Sequence, residues 1–228
     1  MPVVVLASSK GGAGKSTSAV LLATQLANRG EGVTMIDADP NRPVAKWAKR
    51  PGKPNNLTVL DDVTEDTIIG AIEQAGQTSR YVIVDLEGTA SVMVAYAISR
   101  ADLVIIPSQG SQLDAEQAVR AIRLIRKQEE AFRLSIPSAV LFTRTSAAIR
   151  TRDLTRIATE FNAANAGVFK TQIHERAAYR ALFAFGGTLE SLDPAQVSNL
   201  KPAIDNARAF ADETVALLQA RPVRREVA

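Results

Sequence analysis

The chain has 228 residues, of which 46% are hydrophobic and 22% charged, and its net charge is +3. These ordinary globular values exclude a disordered, collagen-like or disulfide-stapled chain, and the mild positive charge permits a polyanionic partner without requiring one. The absence of cysteine excludes thiolate metal sites and thiol nucleophiles, and the single histidine, His174, excludes a metal site made of several histidines.

No uninterrupted apolar run reaches the roughly 18 residues that a membrane-spanning helix needs. The N-terminal sequence MPVVVLASSKGG lacks the charged start and long apolar stretch of a secretory signal, and it is more typical of a first strand. We therefore expect a cytoplasmic protein. We also expect no N-terminal helix-turn-helix domain, because little sequence precedes Val3.

Apolar runs alternate with segments of helical periodicity along the chain. The runs predict buried strands at Val3–Ala7, Val33–Ile36, Tyr81–Val84, Leu103–Ile106 and Ala139–Phe142. The periodic segments predict helices at Ser16–Asn28, Glu65–Ala75, Asp114–Glu130 and Gln196–Ala220. This order predicts an α/β fold with a mostly parallel, twisted sheet that carries helices on both faces. We expect one domain over residues 1–228, with a short loop at Arg50–Asn56.

A glycine-rich segment joins the first predicted strand to the first predicted helix, and residues 10–16 read KGGAGKS. The glycines allow a tight turn whose N–H groups face phosphate oxygens, and the helix N-terminus adds a positive dipole. Lys15 can neutralise the β- and γ-phosphates, and the Ser16 hydroxyl can ligate Mg²⁺. This pattern predicts a P-loop NTPase. The predicted nucleotide-binding residues of the loop are Lys10, Gly11, Gly12, Ala13, Gly14, Lys15, Ser16 and Thr17.

The loop departs from the common form GxxxxGK[ST], because Ser9 stands where a glycine is expected and Lys10 precedes the glycine pair. It resembles the deviant Walker A motif KGGxGK[ST] of the ParA/MinD family of ATPases. The resemblance implies that ATP and Mg²⁺ are the cofactors and that the ATP-bound form is a homodimer. It also implies that Lys10 reaches the partner's phosphates, so that both Lys10 and Lys15 are catalytic.

Carboxylates follow two of the predicted strands. Asp37 and Asp39 lie in the segment MIDADPN, and Asp85 ends the apolar run YVIVD. Phosphoryl transfer needs a carboxylate to hold Mg²⁺ and a group to orient the attacking water, and ligands of α/β sheets bind at this edge. The predicted metal site comprises Ser16, Asp37 and Asp85. The resemblance implies that Asp39 is the switch residue required for hydrolysis.

Both carboxylate segments depart from the family pattern. The family sequence DxDPQ ends here in Asn41 instead of glutamine, and the family sequence DTPP is replaced by DLEG, which leaves the role of Glu87 open. The replacement of DTPP by DLEG resembles smaller ParA-like proteins, including those of plasmid partition and T-DNA transfer.

The base-binding residues are predicted mainly from the resemblance. The guanine-specific sequence NKxD is absent, and the family implies adenine. Thr143 and Arg144 in LFTRT match the place where relatives contact the base, and backbone groups near Ile173 and His174 are further candidates. His174 is also compatible with a structural or surface position.

The resemblance implies a ParA-type cycle for plasmid or chromosome partition. An ATP-bound dimer binds DNA without sequence preference, which places it on the nucleoid, and a ParB-like or centromere-binding protein stimulates hydrolysis. Such binding requires phosphate contacts from cations. The leading DNA-binding residues are Arg150, Arg152 and Arg156 beside Arg144, followed by Arg176 and Arg180; all could equally belong to a solvated surface.

Three alternatives remain open. The first is a ParA-like ATPase that positions conjugation or T-DNA transfer machinery. The second is a MinD-like membrane ATPase, although Phe210, Leu217 and Leu218 give the last helix few large apolar residues, and we expect no stable membrane association. The third is a metabolic P-loop enzyme. The basic stripe Arg120, Arg123 and Lys127 is either solvated or a surface for a partner or DNA.

Overall fold

The predicted strands form the centre of one parallel sheet. The computed structural model describes residues 1–8, 10–88, 91–146, 157–161 and 166–220. The strands are β1 (Val3–Leu6), β2 (Val33–Ala38), β3 (Leu57–Leu60), β4 (Tyr81–Leu86), β5 (Leu103–Ser108), β6 (Ser138–Thr145), β7 (Gly167–Val168) and β8 (Ile173–His174). Their order is β3-β2-β4-β1-β5-β6-β7, with β8 also paired to β6. Every pairing is parallel.

Helices cover both faces of this sheet. They are α1 (Lys15–Ala27), α2 (Pro43–Ala48), α3 (Ile68–Thr78), α4 (Val92–Arg100), α5 (Gln112–Phe132), α6 (Ala177–Phe185) and α7 (Leu200–Gln219), and a 3-10 turn lies at Leu189–Ser191. On β1, Val4 and Leu6 face the core under α1, α2, α6 and α7. Val3 and Val5 face the opposite core, under α3, α4 and α5. The predicted α/β class is therefore confirmed.

The sheet also determines where a ligand can bind. β1 lies between β4 and β5. The strands β2, β3 and β4 lie on one side of β1, and the later strands β5, β6 and β7 lie on the other, so the direction in which strands are added reverses at β1. Such a switch point opens a crevice at the carboxyl ends of the strands. The loop after β1 and the carboxylates near the carboxyl ends of β2 and β4 all lie at this edge, and Asp37 is the register partner of Asp85.

All five predicted strands and all four predicted helices are present, with shifted ends. The helix predicted at Glu65–Ala75 begins at Ile68, and the last helix begins at Leu200. Within the described residues, no helix is long and apolar enough to cross a membrane. Phe210 of α7 is buried, and Leu217 and Leu218 pack against the same core, so these apolar side chains contact the protein itself.

Candidate functional site

The glycine-rich loop connects β1 to α1 as the sequence predicts. Gly14 precedes α1 with a φ of 97°, which a residue with a side chain rarely adopts, and no side chain caps the helix N-terminus. The Thr143 hydroxyl donates to the Ala13 carbonyl at 2.7 Å. Lys15 is only 6% exposed, and its ammonium lies 3.4 Å from the Lys10 carbonyl. The loop is therefore held from behind, while its helix N-terminus remains available to an anion.

The Lys10 side chain pairs with a residue of α5. Its ammonium lies 2.8 Å from Asp114 Oδ1, and its side chain is about half exposed. Ser111, the N-cap of α5, donates its hydroxyl to Asp114 Oδ2 at 2.5 Å. Burial acts to raise the pKa of Asp114, but the hydrogen bonds from Lys10 and Ser111 outweigh it and lower that pKa. The ion pair with Asp114 thus keeps the Lys10 side chain on the protomer to which it belongs.

Asp85 is the most deeply buried carboxylate of the site. The residue is 0% exposed, and neither side-chain oxygen has a hydrogen-bond partner among the described residues. Burial raises the pKa of Asp85 to about 7, and the charge of Asp37 adds to the rise. The Ser16 hydroxyl and Lys15 oppose it, although Ser16 does not reach hydrogen-bond geometry with either oxygen. A buried carboxylate without partners is costly unless a bound group uses it.

The two carboxylates at the end of β2 have different surroundings. Asp37 is buried, and its oxygens accept hydrogen bonds from the backbone N–H groups of Ala45 at 2.8 Å and Asp39 at 3.3 Å. Burial nevertheless raises the pKa of Asp37. Asp39 accepts hydrogen bonds from the backbone and the side chain of Asn41. Asp37 therefore anchors the start of α2, whereas Asp39 lies at the surface of the site.

Two adjoining cavities open at this edge of the sheet. The loop cleft, of about 600 Å³, lies between the glycine-rich loop, residues 39–41 and residues 87–88. The side pocket, of about 230 Å³, lies between the start of α1, the end of β6 and α6. Gly14, Thr17 and Arg144 border both cavities. Together they form one elongated site, with Glu87 at the rim of the loop cleft.

The side pocket contains the residues predicted near the base. Thr143, Arg144, Ile173 and His174 all line it. Arg144 has a left-handed backbone, with a φ of 54°, and its guanidinium pairs with Glu175 at 3.2 Å. His174 Nδ1 lies 2.9 Å from the Thr145 hydroxyl, and burial, aided by the charge of Arg176, lowers the pKa of His174.

The structure gives a mixed outcome for the predicted basic patches. The leading residues Arg150, Arg152 and Arg156 lie outside the described residues. Arg176 and Arg180, the second choice, line the side pocket, and Arg180 forms an ion pair with Glu175.

Sequence reasoning missed several residues that shape the site. The sequence predicts Asp114 only as the start of a helix, whereas in the structure its carboxylate binds Lys10. The capping pattern Ser111-x-x-Asp114 marks a helix N-terminus but carries no sign of that distant partner. Gln109 donates to the Gly12 carbonyl at 3.1 Å, and Tyr179 lines the side pocket. These contacts join positions that are far apart in sequence.

Comparison with known proteins agrees with this geometry. The sequence model of the VirC1 protein family matches residues 1–219. The chain belongs to the VirC1 family. Protein ParA of Rhizobium radiobacter is 49% identical to it over 211 residues, which cover 92% of this chain and 95% of that protein. The VirC1-family chain is thus a P-loop ATPase of the ParA/MinD type, as its deviant loop predicts.

Solved structures show the same fold. MinD of Aquifex aeolicus matches with a TM-score of 0.71 at 20% identity, covering 95% of the VirC1-family chain and 98% of its own. An ATP complex of McdA from Cyanothece matches with a TM-score of 0.70 at 16% identity, covering 94% and 96% of the two chains.

The residues of the VirC1-family chain fit a magnesium nucleotide. The N-terminus of α1 has no side-chain cap, Lys15 is buried beside it, and the Asp85 oxygens lack partners among the described residues. A bound Mg²⁺–phosphate group would satisfy all three, because phosphate accepts from N–H groups and ammonium while Mg²⁺ or its water ligands engage the carboxylate.

Proposed function

We propose that this chain binds ATP with Mg²⁺ across both cavities, with the phosphates in the loop cleft and adenine in the side pocket. Lys15 and the N–H groups at Gly11–Thr17 bind the phosphates, and Ser16 and Asp85 hold Mg²⁺, which neutralises phosphate charge. Asp37 supports this set by fixing the backbone around Asp39. Asp39 orients the attacking water. The observation that carries this proposal is the buried Asp85 carboxylate, which has no hydrogen-bond partner in the described part of the chain, together with the buried Lys15 whose charge acts on it.

ATP binding is proposed to drive dimerisation. Lys10 is half exposed, and its bond to Asp114 is an ion pair near the surface. Such pairs contribute only about 0–1 kcal/mol, so a γ-phosphate of a second protomer can compete for the ammonium. A second cation at the transferred phosphate stabilises the charge of the transition state and couples hydrolysis to the dimer.

The ATP-bound dimer is proposed to bind DNA without sequence preference through Arg150, Arg152 and Arg156, and to act in plasmid or chromosome partition. A ParB-like or centromere-binding protein stimulates its hydrolysis, and the dimer resides on the nucleoid in the cytoplasm. The 49% identity to Protein ParA supports this role.

A second candidate is the positioning of conjugation or T-DNA transfer machinery. The match to the VirC1 family model favours it, and the chemistry of the site would be the same. The partner separates the two roles: a centromere-binding protein that stimulates hydrolysis supports partition, and a relaxosome or secretion component supports transfer. The MinD-like membrane role is disfavoured, because the large apolar residues of α7 pack against the core.

Light scattering after size exclusion tests the proposal, with wild type and Lys10→Ala in ADP and in a non-hydrolysable ATP analogue. We expect the analogue to convert the wild type from monomer to a dimer that binds duplex DNA, more weakly as salt rises. Lys10→Ala should still bind the analogue but remain monomeric. A wild type that stays monomeric and does not bind DNA when the analogue is bound would contradict the proposed cycle.

A further inference from the structure

The two cavities of the site have walls that come from distant parts of the chain. The loop cleft is bordered by Asp39, Pro40 and Asn41, and α2 begins directly after them at Pro43. The side pocket is bordered by Tyr179, Arg180 and Phe183, which belong to α6. A nucleotide that extends through both cavities requires α2 and α6 to be held in a fixed relation.

One buried hydrogen bond ties these two helices together. The indole of Trp47, near the end of α2, donates from Nε1 to the Gly187 carbonyl at 3.1 Å, and Trp47 is 1% exposed. The turn after α2 lies against the turn after α6: a Cβ on Gly52 would lie 3.1 Å from the Gly187 Cα. Both glycines also have positive φ, so a side chain at either position would be strained as well as crowded.

The other ends of the two helices are anchored to different elements. Asp37 of β2 accepts from the Ala45 N–H near the start of α2. The Tyr179 hydroxyl, near the start of α6, donates to the Ala203 carbonyl of α7 at 3.0 Å. Trp47 thus links α2, which follows the wall of the loop cleft, to the C-terminal end of α6, which lines the side pocket.

We propose that Trp47 is a positioning residue that holds α6 at the distance a nucleoside requires once its phosphates occupy the loop cleft. The inference rests on the proposed function, since it assumes that the base enters the side pocket. Trp47 lines neither cavity and acts only through α6. Its loss therefore affects ligands that reach α6 and spares ligands confined to the loop cleft.

The test compares ADP with inorganic pyrophosphate, which reaches only the loop cleft, by calorimetric titration in the presence of Mg²⁺. Trp47→Phe removes the N–H donor and leaves the Gly187 carbonyl buried without its partner. We expect the dissociation constant for ADP to rise about tenfold, the effect of one lost buried hydrogen bond, while that for pyrophosphate changes less than about twofold.

A second substitution covers the case in which Trp47→Phe does not fold. Trp47 is the single tryptophan, so growth on benzothienylalanine exchanges this residue alone and replaces the indole N–H by sulfur at nearly unchanged shape. The same selective loss of ADP affinity is expected. Phe210→Leu is the matched control, because Phe210 is buried in the same core cluster but lies in α7. It should lower the melting temperature without changing the ratio of the two affinities.

The outcomes are distinct. Equal weakening of ADP and pyrophosphate, no weakening of either, or the same selective loss in Phe210→Leu would overturn the positioning role. A wild type that binds pyrophosphate but not ADP would overturn the assignment of the side pocket to the base. A wild type that binds neither ligand would overturn the proposed function itself.

Discussion

At the scale of single residues, Asp85 combines deep burial with two oxygens that have no partner among the described residues. Its pKa is raised from 3.8 to about 7, so between these values the folded state holds a proton that the unfolded state has released. The free energy of unfolding contributed by Asp85 therefore falls as the pH rises through this window and stays low above it. This loss of stability is what a bound magnesium nucleotide would relieve.

Asp85→Asn should consequently stabilise the nucleotide-free protein at pH 8 while abolishing ATP hydrolysis. We expect the free energy of unfolding to rise by about 1–4 kcal/mol at pH 8, and the difference from wild type to shrink towards pH 5. Urea unfolding at both pH values measures this. Asp114→Asn is a control that should lower the free energy of unfolding instead of raising it, because the pKa of Asp114 is lowered in the folded state. An equal stability difference for Asp85→Asn at both pH values would refute the explanation.

The ion pair of Lys10 with Asp114 gives a second prediction at this scale. Asp114→Asn keeps the shape of the side chain but removes the charge that holds Lys10 in its own chain. A half-exposed pair contributes up to about 1 kcal/mol, and a symmetric dimer must release Lys10 in both protomers. The dimer formed with an ATP analogue should therefore dissociate with a constant about four- to twenty-fivefold lower.

Sedimentation over a range of protein concentrations measures this constant. Asp205→Asn makes the same charge change in an exposed pair with Lys201 of α7, and it should leave dimerisation unaltered. If Asp114→Asn weakened the dimer, Asp114 would have to act in the interface rather than restrain Lys10.

At the scale of elements, the strength of the local pattern determined which parts of the fold were predictable. The central strands are continuous apolar runs because both their faces are buried. The edge strand β3 has one buried, one exposed and two half-buried residues, and it shows no such run. Helix α2 has only six residues, and it depends on the Asp37 carboxylate that binds the Ala45 N–H. Stabilisation of that kind by tertiary contacts leaves little trace in a local sequence window.

The candidate site was predictable to a similar extent. The loop and the carboxylates were found because each directly follows a predicted strand and therefore lies at one edge of the sheet. The pairing of Lys10 with Asp114 joins residues 104 positions apart, and no periodicity encodes it.

Strand β6 supports the loop from a distance, and this support can be tested. The Thr143 hydroxyl donates to the Ala13 carbonyl. The Thr143 side chain also packs against Gly14, where an added Cβ would lie 3.3 Å from the Thr143 Cβ. Thr143→Val keeps this shape but leaves the carbonyl without a donor. We expect a loss of about 1–2 kcal/mol in urea unfolding and several-fold weaker ADP binding. Thr214→Val in α7, which lines neither cavity, removes a buried hydroxyl bonded to the Phe210 carbonyl instead. If it weakened ADP binding equally, support of the loop would not be the cause.

At the scale of the whole molecule, a net charge of +3 is too small to explain DNA binding by itself, so the distribution of cations must decide it. Changing Arg150, Arg152 and Arg156 to Glu reverses the sign of the net charge and removes the leading phosphate contacts. With an ATP analogue bound, we expect DNA binding to be lost in the triple variant while dimerisation persists. In single Arg→Ala variants, the slope of log affinity against log salt should fall by about one for each contact removed.

Fluorescence anisotropy of a labelled duplex at several salt concentrations measures both effects. The control changes Lys170, Lys201 and Arg208 to Glu, three exposed cations that make the net charge equally negative. If this control loses DNA binding to the same degree, overall charge governs the interaction. Loss confined to the first triple variant assigns DNA binding to Arg150, Arg152 and Arg156. Undiminished binding in that variant, with dimerisation intact, would require another DNA-binding surface, and the basic stripe Arg120, Arg123 and Lys127 on α5 would be the next to change.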